Sequence, residues 1–291
     1  MKKFLTLLLS LVVALTACVG LTACNDPEGN DLAMGKEMVK YKSQLEAIAQ
    51  LGNAVDAVVI DSIMGGYYTV EGDYAGQIAI VPNLTLAQEE YGIAGKKDSK
   101  AFMSEINKAL VALTNDGTMD TVANQFGVKE SIAIKADTEN PYANATDNSW
   151  EEIKESGKIV VGITIFAPIA YYNGATTIEN LTGFDIELAK KVVDYLNATY
   201  DLALTVEFEI IEWNSKEALL DNGSIDLVWN GMTITEQRSK DMCISVPYLY
   251  NKQVAIVPTA DLSKYSDINS FADAIIGVEA GSAGESVVSG K

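Results

Sequence analysis

Residues 216–238, with the sequence KEALLDNGSIDLVWNGMTITEQR, contain the pattern that decides the fold class. Apolar side chains recur at helical spacing in residues 216–220, and Asn222-Gly223 is a typical helix stop. The apolar run at 225–229 has the length and composition of a buried strand. Residues 231–238 then supply small, hydroxyl and cationic groups directly after it. The stretch predicts helix, turn, strand and polar loop in that order.

The same order of elements occurs closer to the N-terminus. A helical pattern in Ser43–Leu51 precedes the apolar run Val55–Ile60. Val55-Asp56-Ala57-Val58 aligns with Ile225-Asp226-Leu227-Val228 at an offset of 170 residues. Repeated units of this kind predict an α/β fold with parallel strands and a ligand site beyond the C-terminal strand ends. We expect one copy in each of two lobes; two ordinary βα units with no shared site are the alternative.

Length and charge narrow the function classes. The 291 residues suffice for about two domains. Forty acidic residues against twenty-one basic ones give a net charge of −19, which disfavours a nucleic acid partner. The chain has no histidine, which removes Ser-His-Asp nucleophiles and His-ligated zinc. Carboxylate or lysine chemistry stays open, so an enzyme is disfavoured rather than excluded.

The first residues predict export. Two lysines precede the uncharged run Phe4–Ala17, which is short for a membrane span and typical of a secretion signal. Leu15–Cys18 and Leu21–Cys24 both resemble bacterial lipoboxes. We expect lipidation at Cys24, because residues 25–31 follow it as a polar tether; Cys18 is the alternative. A cleaved signal with incidental cysteines is the other interpretation.

Arg238 is the single arginine among twenty-one basic residues. Its planar fork can hold a carboxylate in two parallel hydrogen bonds, which a lysine cannot do. Gly231 allows close approach of a backbone N–H to a ligand, and Thr233 adds a hydroxyl donor. These residues predict an anion clamp. The alternative is an arginine that caps a helix or pairs with one of the forty acids.

Other polar and aromatic groups follow predicted strands. Asp61 is a candidate partner for an ammonium group, with a helix N-cap as the alternative. Gly277–Gly284 is rich in glycine but lacks the lysine of a phosphate loop, so we expect no nucleotide and no other cofactor. A helix that begins there can offer amides to a carboxylate. Phe166 and Trp213 are expected near the same strand ends, where core packing is their commoner role.

The motifs resemble, in order and spacing, those of the polar amino acid-binding proteins of bacterial ABC importers. That family consists of two-lobed extracellular solute-binding proteins with a Venus-flytrap fold, each lobe a sheet flanked by helices. The motifs that carry the resemblance are Trp150–Gly162, Phe166–Pro168, Gly183–Ala189, Ile225–Asp226, Gly231–Arg238 and Pro247–Tyr248. The resemblance implies capture of a free amino acid by hinge closure and delivery to an ABC permease with its ATPase subunit. It implies no enzymatic step.

The resemblance also implies a role for each candidate residue. The α-carboxylate is assigned to Arg238, Thr233 and the amides of Ser282 and Ala283. The α-ammonium is assigned to Asp61. Gly231 is expected to take part through its backbone, and the expected side-chain pocket is lined by Phe166 and Trp213.

The order of the motifs departs from the family, because residues 32–127 resemble its second half and yet come first. The two halves complement each other without overlap or gap, which predicts a circular permutant; a fusion of halves from two tandem binding proteins is the alternative. The expected organisation is a signal peptide (1–24), tether (25–31), lobe 2 (32–92), lobe 1 helices (93–128), linker (129–149), main part of lobe 1 (150–252) and first part of lobe 2 (253–291).

Two rival functions belong to the same fold, namely a prephenate-type dehydratase and a ligand sensor. A sensor requires a membrane-spanning segment and a signalling domain. We expect neither after the export signal. The predicted location is the outer face of the cytoplasmic membrane, where a lipid anchors a monomer.

Overall fold

The computed structural model describes residues 32–291. The predicted export signal, both lipobox cysteines and the tether lie outside these residues. The α-helices are α1 (Gln44–Ala49), α2 (Ser62–Val70), α3 (Lys100–Asn115), α4 (Thr118–Gln125), α5 (Ser149–Ser156), α6 (Phe184–Tyr200), α7 (Lys216–Asp221), α8 (Glu236–Asp241) and α9 (Ala283–Ser289). The strands are β1 (Glu37–Tyr41), β2 (Ala57–Asp61), β3 (Ile78–Ile80), β4 (Ala87–Gly95), β5 (Lys158–Ile163), β6 (Tyr171–Tyr172), β7 (Leu181–Thr182), β8 (Thr205–Ile210), β9 (Leu227–Thr233), β10 (Cys243–Ile244), β11 (Leu249–Pro258) and β12 (Ile275–Glu279).

The main sheet has the strand order β1-β12-β2-β11-β4-β9-β5-β8. Strands β1, β12 and β2 are parallel, as are β9, β5 and β8. We call the first group, with β3, α1, α2 and α9, the terminal lobe, and the second group, with β10 and α3–α8, the central lobe. The α/β, two-lobed architecture expected from the sequence is confirmed. Rather than forming two separate sheets, the lobes share one hydrogen-bonded path through β11 and β4.

Strands β4 and β11 connect the lobes. They run antiparallel, with Leu249 opposite Tyr91 and Gln253 opposite Ala87. Beyond this shared ladder, β11 pairs with β2 in the terminal lobe and β4 pairs with β9 in the central lobe. Side chains on the shared ladder therefore lie between the lobes.

The sequence repeat corresponds to a repeated contact. Asp226 Oδ2 accepts the Val160 N–H at 2.7 Å, and the Asp226 N–H is donated to the Val160 carbonyl at 2.8 Å. Asp56 makes the same pair of bonds with Ile275, at 2.8 and 2.9 Å. Each aspartate thus fixes its strand to a parallel neighbour. The strand ends that follow, at Asp61 and Gly231, occupy equivalent positions in the two lobes.

The segment 129–149 contains no regular element longer than one turn, as its polar, aperiodic sequence suggested. It is nevertheless bound to the central lobe. The Ala133 N–H is donated to the Tyr248 carbonyl at 3.0 Å, and the Asn140 amide is donated to the Ser104 carbonyl at 3.0 Å. Asp147 accepts the N–H of Ala101 at the start of α3. The segment therefore follows one defined path over the lobe surface.

Gly183, directly before α6, has a backbone that excludes other residues. Its φ of +130° lies in a region that L side chains rarely adopt, and a Cβ there meets the Ile169 carbonyl and lies 2.8 Å from the Ala170 nitrogen. Gly183→Ala is expected to lower the free energy of unfolding by about 2–4 kcal/mol. Chemical denaturation measures it. Gly66→Ala is the matched control, because a Cβ in this helical position meets nothing within 4 Å and alanine favours the helix. Equal stability of the two variants contradicts the prediction.

Within residues 32–291, no helix combines the length and apolar character that crossing a bilayer requires.

Candidate ligand-binding cleft

The structure brings all eight predicted site residues to one narrow cleft between the lobes. The predicted residues that line it are Asp61, Phe166, Trp213, Gly231, Thr233, Arg238, Ser282 and Ala283. Six further lining residues were not predicted, namely Gln44, Met64, Thr164, Ile165, Asn230 and Glu279. The lobes lie close together here, and the cavity volume of the cleft is about 20 Å³, which is on the scale of a single water molecule.

Arg238 projects from α8, whose first turn is capped by Thr235. Its guanidinium donates to the Thr233 carbonyl at 2.8 Å and to the Gly281 carbonyl at 3.0 Å, and it lies 5.9 Å from the centre of the Trp213 ring. Burial lowers the pKa of Arg238. Among residues 32–291 no carboxylate lies within 4 Å of this guanidinium. Its bound partners are neutral, so a partly buried positive charge faces the cleft without a contacting counter-ion among these residues.

Asp61, at the end of β2, is 5% exposed and faces Arg238 from the other lobe. Oδ1 accepts hydrogen bonds from the Tyr91 hydroxyl and the Asn251 amide at 2.5 Å and from the Gln253 amide at 3.0 Å, while Gln44 donates to Oδ2. The side chain makes no capping bond to α2, so the N-cap alternative is not adopted. Burial and the nearby Glu89 carboxylate raise the pKa of Asp61 to about 7.

Glu89 joins this network from β4. The amides of Asn251 and Gln253, which also bond to Asp61, donate to Glu89 Oε2 at 2.9 and 3.1 Å. The Thr233 hydroxyl donates to the same oxygen at 3.1 Å. A chain of hydrogen bonds thus runs from the terminal lobe through the crossing strands to the central lobe.

Part of the chain that contributes to this cleft is similar to a known protein family. Residues 159–276 match the family model described as bacterial extracellular solute-binding proteins, family 3. This part of the chain, about 40% of the 291 residues, resembles that family.

Several proteins that are similar to this chain have names that describe binding proteins. A probable ABC transporter extracellular-binding protein of Bacillus subtilis is 31% identical over 42% of this chain and 40% of its own length. A glutamine-binding protein of Geobacillus stearothermophilus is 30% identical over 58% of this chain and 60% of its own. A substrate-binding protein of an ABC uptake transporter from Streptococcus pneumoniae, solved with histidine, shows 31% identity over 34% of this chain and 36% of that one, with a TM-score of 0.26. The chain spans about 40–60% of the length of the two curated relatives.

Gly231 has a role in the structure that differs from the expected one. We expected its N–H to face a ligand, but it is donated to Asp185 Oδ2 at 2.9 Å. Asp185 is 1% exposed and also accepts the Tyr248 hydroxyl at 2.8 Å, and burial raises its pKa to about 7. Gly231 is required for another reason: its φ is +60°, and a Cβ lies 2.6 Å from the Phe166 ring. This left-handed backbone conformation within β9 turns the Gly231 N–H toward Asp185.

The two backbone amides expected to bind a carboxylate, those of Ser282 and Ala283, lie at the cleft. The N–H of Ser282 already has a partner, so the Ala283 N–H is the one left to donate to a ligand. The Ser282 N–H is donated to the Glu279 carbonyl at 3.2 Å, and its hydroxyl accepts the Glu285 N–H as the helix cap. The Ala283 amide opens the first turn of α9, where an N–H has no partner within the helix.

The two aromatic residues are buried in the cleft wall. Phe166 packs edge-on against Tyr91, with ring centres 6.4 Å apart. Trp213 carries both Arg238 and Lys216 near its ring, the latter at 4.8 Å. Trp213 therefore supports the cations of the site as well as lining it.

Glu279 and Lys216 are functional candidates that the sequence reasoning missed. Glu279 ends β12 at 5% exposure, and burial together with Asp61 raises its pKa to about 8. Lys216 pairs with Glu217 at 3.1 Å, and burial and Arg238 lower its pKa. The sequence pattern that could have identified Glu279 is a charged residue at the end of an apolar strand.

Contacts across the cleft hold the lobes together. Besides the bond from Arg238 to Gly281, Lys42 and Glu212 form an ion pair of 2.8 Å. Tyr67 and Tyr171 meet at the edge of the cleft with ring centres 6.0 Å apart. The structure therefore shows a closed arrangement of the lobes.

Proposed function

We propose that the protein captures a free amino acid outside the cytoplasmic membrane and delivers it to an ABC permease with its ATPase subunit. The observation that carries this proposal is the pairing in one interlobe cleft of a partly buried guanidinium, which contacts no carboxylate of residues 32–291, with the buried carboxylate of Asp61. A zwitterion carries the complementary charges. The names of the relatives, which include transporter binding proteins, support the same function.

Each end of the ligand has an assigned partner. Arg238 binds the α-carboxylate through guanidinium N–H groups that do not bond to Thr233 or Gly281, and the Ala283 amide adds a donor. Asp61 Oδ2, which accepts only from Gln44, takes the α-ammonium. Phe166 and Met64 contact the side chain.

Thermal unfolding of the chain from residue 25, with each of the twenty amino acids at millimolar concentration, tests this function. A ligand at 100 times its Kd stabilises the native state by about 2.7 kcal/mol, which shifts Tm by several degrees. One or a few stabilising amino acids are expected. A cooperative transition that no amino acid shifts contradicts the proposal.

The dehydratase alternative is separated by product analysis. A binder returns its ligand unchanged after prolonged incubation, whereas a dehydratase converts a prephenate-like acid. We expect quantitative recovery of the amino acid and no turnover of prephenate. Turnover overturns the assignment as a transport protein.

We also propose lipid anchoring at Cys24, with Cys18 as the alternative, on the outer face of the membrane. The support is the lipobox pattern in the sequence. Cys24→Ala is expected to release the protein from the membrane fraction, and Cys18→Ala is its matched control. The reverse result assigns the anchor to Cys18.

We propose further that the chain is a circularly permuted family member. This organisation assigns residues 32–92 and 253–291 to the terminal lobe and residues 93–128 and 150–252 to the central lobe, with 129–149 as the linker. The Ala33 N–H is donated to the Val288 carbonyl at 2.9 Å, so the two ends of the described chain are adjacent. Strand β1 also pairs directly with β12. These contacts form within one chain, which supports a permutant over a fusion of two unrelated halves.

Reordering the chain tests the permutation. In the reordered chain, a short linker joins residue 291 to residue 32. The new N- and C-termini are created by one cut between residues 136 and 148. We expect a monomer that binds one ligand per chain with a Kd within about threefold of the original, because loops of this kind tolerate new termini. A reordered chain that does not fold contradicts the proposal.

A further inference from the structure

Glu279 lines the cleft, and the proposed binding mode assigns no group of the ligand to its carboxylate. It lies in the same cleft as Asp61 and Arg238 and is 5% exposed. None of the cations in residues 32–291 lies within 4 Å of its carboxylate. The nearest buried lysine, Lys216, is engaged by Glu217 at 3.1 Å and by the Trp213 carbonyl at 3.3 Å.

The charges of the cleft do not balance with a neutral ligand. With a zwitterion bound, Arg238 pairs with the α-carboxylate and Asp61 with the α-ammonium. The ionised form of Glu279 then has no cation in contact within residues 32–291, and that form is costly in a site from which water is excluded. A ligand with a second positive charge removes that cost.

The lining suits such a side chain. Met64, Phe166 and Trp213 present apolar surface that a methylene stem can cover, while a charged head group reaches the carboxylate. Gln44 donates to Asp61 and lies beside Glu279, so it separates the two carboxylates. Two ammonium or guanidinium groups of one ligand can therefore be held by two different acids.

We propose that this cleft selects amino acids with a positively charged side chain, and that Glu279 is the ion-pair partner of that charge. The inference rests on the proposed function. It names a specificity-determining residue within the same site.

Isothermal titration with charge-matched ligand pairs tests the inference. The pairs are L-arginine with its neutral isostere L-citrulline and L-lysine with L-norleucine. The wild-type protein is expected to bind the charged member at least tenfold more tightly. Glu279→Gln is expected to reduce that ratio to less than threefold while citrulline affinity changes by less than threefold. Glu279→Asp, which keeps the charge, retains a preference.

Glu236→Gln is the matched control, because it removes the same charge from an exposed acid of α8 whose partner is Lys240. It is expected to leave the arginine-to-citrulline ratio unchanged. If Glu279→Gln weakens both members equally, Glu279 serves the α-ammonium and the inference is wrong. Tight wild-type binding of a neutral or acidic amino acid, in preference to arginine and lysine, overturns the inference and leaves the proposed function intact. Absence of any amino acid binding overturns both.

Discussion

Arg238→Ala is expected to abolish amino acid binding. The partly buried guanidinium lies over Trp213, and within residues 32–291 it donates hydrogen bonds only to the neutral carbonyls of Thr233 and Gly281. Removing one partner of a desolvated charge pair costs about 2–5 kcal/mol, which corresponds to a rise in Kd of roughly 30- to 4,000-fold. Isothermal titration measures the loss, and circular dichroism shows that the variant is folded.

Two further variants define what Arg238 contributes. Arg238→Lys keeps the charge but loses the planar fork, so binding is expected to be intermediate. Lys240→Ala removes an exposed cation of the same helix, which pairs with Glu236 at 2.6 Å, and is expected to leave the Kd unchanged. A Kd for Arg238→Ala within threefold of wild type means that the carboxylate binds elsewhere.

Asp61→Asn is expected to weaken binding at least 100-fold at pH 8 and to change its pH dependence. An ammonium group pairs with the ionised carboxylate, whereas the pKa of Asp61 in the empty cleft is about 7. Affinity in the wild type is therefore expected to be fully present above pH 7 and to fall about tenfold per pH unit below it. The asparagine variant lacks this step, although Oδ1 can still accept from Tyr91 and Asn251.

The pH titration needs two controls. Asp73→Asn changes an exposed aspartate of the terminal lobe and is expected to keep the wild-type profile. Glu279→Gln removes the other carboxylate of the cleft that titrates near neutral pH, which isolates the contribution of Asp61. A wild-type affinity that is constant between pH 5 and pH 8 contradicts the assigned role.

The stability of the ligand-free protein is expected to depend on pH in the opposite direction, because it decreases as the pH rises while ligand affinity increases. The pKa values of Asp61, Asp185 and Glu279 are raised by burial, so the folded state retains protons that the unfolded state releases. Their contribution to stability is present below about pH 4 and is lost as the pH rises toward 7 or 8. A bound cationic amino acid is expected to restore the contributions of Asp61 and Glu279 at high pH, because it supplies positive charge to these two carboxylates, whereas that of Asp185 is unchanged.

The sequence predicted those parts of the molecule that are encoded locally. The aspartates at 56 and 226 follow helix-stop patterns, and their repeat is visible without any structure because each fixes a neighbouring strand in the same way. Arg238 was identifiable because it is the single arginine. The strand ends could be placed at the cleft because parallel strands share one carboxyl edge.

Other features depend on register between distant segments. Asn251 lies opposite Glu89 because β11 and β4 are antiparallel in one register, and no local pattern indicates that pairing. The direction of the Gly231 N–H depends on Asp185, which approaches from α6. The importance of Glu279 appears only when the cations of the cleft have been assigned to other partners. Such information arises from tertiary contacts rather than from periodicity.

The two strands that cross between the lobes also determine how the molecule opens. Strands β4 and β11 are hydrogen-bonded side by side over residues 87–91 and 249–253. The two covalent connections between the lobes therefore define a hinge axis rather than a single pivot point. Rotation about that line preserves the ladder, whereas sliding of one lobe along the other breaks it. Opening is thereby reduced to a single degree of freedom. We expect residues that meet across the cleft, such as Arg238 and Gly281, to return to the same partners after each opening.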